Sequence, residues 1–326
     1  MPRKPSTRPI TLQAEPSAAS FAELHAEFIR FKKLRNLSEQ TIKYYNDCGR
    51  FFVDFFSEAA MCDNITEDTY YDYIEYLHEN KPNLSPSTER SYLTGLRAIL
   101  YYGMRKGYIK EFAIQLPKVD EVVKETYTDA EIKLLLKKPD IKAANFGEYR
   151  NWVVINYMLA TGNRAGTIVS INLEDVDLEN NSIILKKLKA RKQYIIPISS
   201  SLAVVLREYL GYRKEEPGDS LFCTAYGKPM TTDILEKEIA RYNRKRGVEK
   251  TSLHMFRHTF AKQWIMNGGD MFRLQKILGH SSLEMVRKYV NMYNDDLQNN
   301  FDSFNPLDNY LGNGARQDKI SLKGRR

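Results

Sequence analysis

Apolar side chains recur at three- and four-residue intervals from Phe21 onward, through Leu24, Phe28 and Phe31, which lines one face of an α-helix. After Ser38, a residue suited to an N-cap, Ile42, Tyr45, Phe52 and Phe55 form a second such stripe. A third helix is expected after Thr66, and a fourth from about Ser87 through Leu93, Leu96 and Leu100 until Gly107. The spacing therefore predicts an all-helical domain over residues 20–110. Residues 1–19 hold little apolar material and three prolines in the first nine positions, so they read as a disordered arm.

Residues 111–126, with Pro117 and mixed charge, read as a linker between domains. Thr128 followed by Glu131 is a capping box that opens a new helix through Leu134, Leu135 and Leu136. Residues 149–160 are mostly apolar and predict a buried helix, which Gly162 can end in the left-handed conformation before Arg164. Two β-rich runs, 182–188 and 193–198, flank Lys189, Ala190, Arg191 and Lys192 and predict a hairpin. Residues 200–212 and 232–246 are amphipathic helices, and residues 253–289 predict two or three short ones. The fold class is mainly α with a small β-sheet (α+β), in which a mixed helical domain with a β-hairpin spans residues 127–300. In the tail, 301–326, Phe301, Phe304, Leu307, Tyr310 and Leu311 stand as isolated apolar residues.

With 326 residues, the chain is long enough for two cores; its 42% hydrophobic and 28% charged residues are those of a globular protein. No apolar run approaches a membrane span and the first residues lack an apolar signal segment, so a cytoplasmic protein is expected, with no membrane partner. Cys48, Cys62 and Cys223 are scattered, without metal-ligand spacing, and should be reduced and buried. Neither a metal nor a cofactor is expected. The net charge of +8 suits a polyanionic partner, and its distribution sharpens the point: residues 127–326 carry 32 Lys+Arg against 23 Asp+Glu, whereas residues 1–110 are nearly balanced.

The basic half also carries the candidate chemistry. His254, Arg257, His280 and Tyr289 lie within residues 253–289. A planar cation can grip non-bridging phosphate oxygens, imidazoles can donate or shuttle protons, and a phenol can attack phosphorus. His254 and Arg257 are three apart and share a helix face, while Arg257 and His258 diverge, so His258 is not expected as a partner. Ser281 and Glu284 form a capping box for a helix that carries Tyr289, with Tyr293 one turn beyond it as a packing residue.

The ordered set H-x-x-R-H-T-F-A from His254, then L-G-H ending at His280, then Tyr289 nine residues on, resembles the C-terminal signature of the tyrosine recombinase (phage integrase) family. Arg164 in T-G-N-R matches the first arginine of that signature, and Lys189 falls where the family's hairpin lysine sits, with Lys186, Lys187 and Lys192 close by. One departure stands out: the acidic residue usual three positions after the arginine is Thr167 here, and Ala165-Gly166 replaces an apolar-small pair. The resemblance covers roughly residues 20–295, through its motifs in the second half and through helical pattern alone in the first.

The resemblance implies a site of Arg164, Lys189, His254, Arg257, His280 and Tyr289. Tyr289 would attack phosphorus to give a 3′-phosphotyrosyl link, both arginines would hold the transition-state charge, and Lys189 would protonate the leaving 5′ oxygen. It further implies double-stranded DNA as partner, a homotetramer on two DNA sites, and a helical N-terminal domain that clamps the duplex. For the apolar residues of the tail it implies burial against a neighbouring protomer, and packing back on the same chain is the alternative. A directionality or accessory protein is a further candidate partner. Candidate DNA contacts are Lys43, Arg90, Arg97, Arg105, Lys106, Arg191, Lys192, Arg241 and Arg244; Tyr70, Tyr71, Tyr73 and Tyr76 are read mainly as packing residues. The leading expectation is the integrase of a mobile element. Its alternatives are a catalytically weak or inactive accessory DNA-binding protein and an enzyme like the type IB topoisomerases.

Overall fold

A computed structural model of the chain describes residues 19–57, 60–120, 125–186, 194–213, 218–279, 283 and 286–287. The chain parts into two compact units near residue 122. The first holds helices α1 (Phe21–Leu34), α2 (Glu39–Phe56), α3 (Glu67–Asn80) and α4 (Pro86–Lys106). Each starts where a hydroxyl can replace a missing backbone partner: Ser20, Ser38, Thr66 and Ser85 all accept the N–H three residues on. Inward faces then meet in a core rich in rings, where Phe21, Phe52 and Tyr73 are fully buried and Phe52 meets Tyr73 edge to face at 5.1 Å. Tyr70 and Tyr73 belong to this core, while Tyr71 is exposed, so packing accounts for most of the aromatic run. Cys48 and Cys62 are buried free thiols here, as is Cys223 in the second unit.

The second unit is built around α6 (Phe146–Thr161), whose buried residues include Trp152, Val153, Val154, Ile155, Tyr157 and Met158. A helix apolar on every side must be covered on every side, and α5 (Asp129–Leu136), α8 (Ser200–Gly211), α9 (Thr232–Lys245) and α10 (Leu253–Met266) pack on it. The capping box at Thr128 and Glu131 is formed as the sequence predicts. The antiparallel sheet has the order β1 (Val176–Asp177), β2 (Ser182–Leu185), β3 (Tyr194–Pro197), with Ile183 opposite Val176 on one side and Ile196 on the other. This is the α+β class read from the sequence; β1 is a strand the period-2 pattern was too short to reveal. The loop between the hairpin strands, residues 187–193, lies outside the described residues.

A charged pillar ties α6 to α9. Arg150 is buried and donates to Glu238 Oε2 at 3.0 Å, to the Cys223 carbonyl at 2.9 Å and, through Nε, to Asn151 Oδ1 at 3.1 Å. A guanidinium this deep needs such a full set of acceptors. Among the described residues, no helix is long and apolar enough to cross a membrane.

Candidate active site

The site begins where α6 stops. Gly162 has φ +61°, and a Cβ there would lie 2.5 Å from Phe260 and 2.8 Å from Leu278, so both the turn and the close approach demand glycine. The next residue, Asn163, is buried and donates its side-chain amide to the Tyr157 hydroxyl at 2.7 Å. Burial pushes the Tyr157 phenol far above its ordinary range, which keeps it protonated. Arg164 then stands at the N-cap of α7 (Ala165–Ile168), half-buried, with Nη1 3.5 Å from the Leu278 carbonyl. Thr167 is buried, and its N–H donates to the Arg164 carbonyl at 2.9 Å.

Arg257 comes to the same carbonyl from α10. It is 4% exposed, donates through Nη1 to Gly162 O at 2.8 Å and through Nη2 to Leu278 O at 2.8 Å. Leu278 is the last residue of α11 (Met271–Leu278), where unsatisfied backbone carbonyls and the negative end of the helix dipole attract cations. Two arginines distant in sequence thus meet at one helix end, and the next residues lead into His280. Such a pair of planar cations can hold a phosphodiester's non-bridging oxygens.

His254 lies on the first turn of α10 and is exposed. Its ring faces that of His258 at a centroid distance of 6.3 Å. Positions four apart on a helix stand over one another, so His258 neighbours His254 even though it diverges from Arg257. Lys186, a rival to Lys189 in sequence, pairs with Asp175 at 2.5 Å and Glu174 at 2.8 Å, which raise its pKa and hold it at the sheet. Lys189, Arg191, Lys192, His280 and Tyr289 lie outside the described residues.

Beside His254 an open groove of about 950 Å³ runs between α9 and the start of α10, lined by Lys237, Arg241, Arg244, Lys245, Thr251 and Ser252, with Asp233 and Glu236 also on its wall. Lys237, Arg241 and Lys245 pair with Asp233, Glu238 and Glu148. Arg244 has no carboxylate partner among the described residues. In the first unit, Lys43 is exposed, Arg90 donates to the Pro117 carbonyl, and Arg97 is half-buried beside Tyr70. Arg105 lies over the rings of Phe31 and Tyr102, and Lys106 pairs with Glu27 at 2.6 Å. Sequence reasoning missed Tyr194, which opens β3 with its hydroxyl 3.4 Å from the Ile277 carbonyl. Among the described residues no group of three or more His, Cys, Asp or Glu side chains could hold a metal ion.

The structure thus sets a pair of arginines at one helix end on a helical scaffold with a three-stranded sheet, an arrangement that can grip a phosphodiester. The model of the phage integrase family matches residues 125–295, more than half of the chain, and that of the phage integrase SAM-like domain matches residues 20–119. The chain belongs to the phage integrase family and is a tyrosine recombinase, a DNA strand transferase. The tyrosine recombinase XerC of Bacillus subtilis is 28% identical over 304 residues, 88% of this chain and 96% of that protein. XerD of Staphylococcus saprophyticus is 25% identical over 292 residues, 86% of this chain and 97% of that protein. In fold, the Tn1549 transposon integrase in complex with a circular intermediate DNA matches with a TM-score of 0.69 at 21% identity, over 84% of this chain and 95% of that one.

Proposed function

We propose that the chain is the integrase of a mobile genetic element, which cleaves and rejoins double-stranded DNA at specific sites through a 3′-phosphotyrosyl intermediate. The observation that carries this reading is the convergence of Arg164 and Arg257 on the Leu278 carbonyl, at the entry to His280. A scissile phosphate seated there would exchange that carbonyl for its own non-bridging oxygens, which compete well because they carry full charge. The departure at residues 165–167 favours a diverged element-borne enzyme over a housekeeping resolvase.

Tyr289 forms the O–P bond while the bond from phosphorus to the 5′ oxygen breaks. His254 and His280 assist removal of the phenolic proton, and Lys189 supplies a proton to the departing 5′ oxygen. Arg164 and Arg257 hold the charge that builds on the pentavalent phosphorus, a task commonly worth on the order of 100- to 1000-fold in rate for each donor. The covalent ester retains the bond's free energy, so a 5′-hydroxyl from another strand reverses the step and completes the exchange. Four protomers act on two duplexes, with residues 20–110 closing on the DNA as a clamp and residues 127–300 carrying the chemistry. The basic groove on α9 continues from His254 and would follow the backbone beyond the scissile phosphate.

The test is covalent trapping on duplexes with bridging 5′-phosphorothiolates that tile the DNA flanking the coding sequence. An adduct on denaturing gels that disappears with Tyr289→Phe and persists with Tyr293→Phe is the expected result. Tight binding of the same duplexes with no adduct at any position would instead make this an accessory DNA-binding protein.

A further inference from the structure

Tyr194 meets the same helix end as the two arginines, from the opposite element. Its hydroxyl lies 3.4 Å from the Ile277 carbonyl. A Cβ placed on Gly279 would sit 2.7 Å from that hydroxyl but 3.5 Å from the ring carbon that bears it, so the hydroxyl alone sets how closely the turn can approach. Arg257 and Arg164 are both near enough to act electrostatically on the phenol, pulling its pKa down against the larger upward pull of burial. The net result is a protonated hydroxyl able to donate. Tyr194, Arg164 and Arg257 thus surround three consecutive residues: Ile277 takes the phenol, Leu278 takes both guanidinium groups, and Gly279 fits beneath the phenol.

We propose that Tyr194 is a positioning residue for strand cleavage: its hydroxyl fixes the turn at residues 277–279, which orients both arginine forks and sets the direction in which the chain enters His280. Tyr194 touches no reacting atom in this scheme. It acts through the turn, and Gly279 is the residue that makes the contact possible, because φ +62° and a missing side chain let the backbone lie against the phenol. Tyr194 opens β3, so this contact also ties the start of that strand to the end of α11. The reading rests on the strand-transfer function proposed above.

The full-length chain is compared with Tyr194→Phe, Arg164→Lys and the double variant, using the phosphorothiolate duplexes described above. Tyr194→Phe should slow single-turnover adduct formation on the order of 10- to 100-fold, the scale expected when catalytic groups are misplaced by about an ångström, while duplex affinity stays within about twofold. In the double variant the losses should be markedly less than multiplicative, since Tyr194 acts in part through the placement of the fork that Arg164→Lys removes. A purely structural tyrosine would lower the thermal midpoint and the fraction of active enzyme without changing the rate per active site. Unchanged cleavage by Tyr194→Phe, or fully multiplicative losses, overturns the proposal. Should the parent protein itself give no adduct, the strand-transfer reading fails separately, and thermal unfolding decides the placement. Gly279→Ala should cost less in the Tyr194→Phe background than alone, because the 2.7 Å clash is gone; equal costs in both backgrounds would refute the contact.

Discussion

The side-chain amide of Asn163 donates to the hydroxyl of Tyr157 at 2.7 Å, and both residues are shut off from water. The bond links the last turns of α6 to the residue just before Arg164, where the chain has left the helix and local hydrogen bonds no longer fix it. Tyr157→Phe should leave a buried amide without an acceptor, lowering stability by about 1–3 kcal/mol. Combining it with Asn163→Leu should recover part of that loss, since a matched apolar pair leaves nothing unsatisfied. Urea unfolding of the two single variants and the double gives the answer; a midpoint unmoved by Tyr157→Phe would mean the bond does not brace the turn.

Arg257 and Arg164 share an acceptor but differ in burial, and their substitutions should differ accordingly. Arg257→Lys keeps the charge but cannot span the Gly162 and Leu278 carbonyls with one planar fork. It should lose on the order of 100- to 1000-fold in adduct formation and also about 1–3 kcal/mol of folding stability. Arg164→Lys, half-buried at a long contact, should show the rate loss with little change in stability. Parallel rate and thermal-melt measurements test the contrast, and equal stability losses would contradict it.

What the sequence made legible was local. The Thr128 and Glu131 capping box and the turn at Gly162 depend on residues within four positions, so pattern alone identified them. The arginines of the family signature were placed by motif, and the fold brings Arg164 and Arg257 to one carbonyl. Less legible were contacts made across the fold. Tyr194 meets Gly279 only once the hairpin folds beside α11, and Arg150 finds Glu238 only when α9 crosses α6. Lys106, a candidate phosphate contact, pairs with Glu27 where α1 and α4 pack side by side, a partner the sequence did not reveal. The bond from Asn163 to Tyr157, next to Arg164, is a pairing that Thr167 at the usual acidic position gave no hint of.

Acid should weaken the N-terminal unit through His25. Its ring stacks over Phe21, packs against Gly49 and reaches the Tyr45 carbonyl at 3.3 Å. Burial lowers its pKa below the ordinary value of 6.5, and the hydrogen bond to Tyr45 opposes this only in part. With a depressed folded-state pKa, the unfolded chain takes up the proton first. The contribution is therefore complete above the unfolded value and is lost as pH falls below about 6.5. Arg50 lines the same cavity but is exposed and paired with Asp47 at 3.3 Å. Thermal unfolding from pH 8 to pH 5 should show a steeper loss for the parent protein than for His25→Phe; coincident slopes would exclude His25 as the source.

The groove on α9 yields a prediction about salt. Lys237, Arg241 and Lys245 already face carboxylates at 2.8, 2.9 and 2.7 Å, so a DNA phosphate must compete with those partners. Arg244 is exposed in the same groove with no carboxylate partner among the described residues, and a phosphate meets no competitor there. Each phosphate contact contributes about 0.9 to the slope of log affinity against log salt on duplex DNA. Arg244→Gln should reduce that slope by nearly one full contact and weaken binding to all sequences alike. Lys237→Gln and Arg241→Gln should reduce it by less, because each cation is already held by a carboxylate and makes less than a full phosphate contact. Filter binding of a flanking-DNA duplex over a range of salt concentrations separates these cases. If all three variants shift the slope equally, local pairing does not govern which cation meets the backbone, and the groove acts through its summed charge.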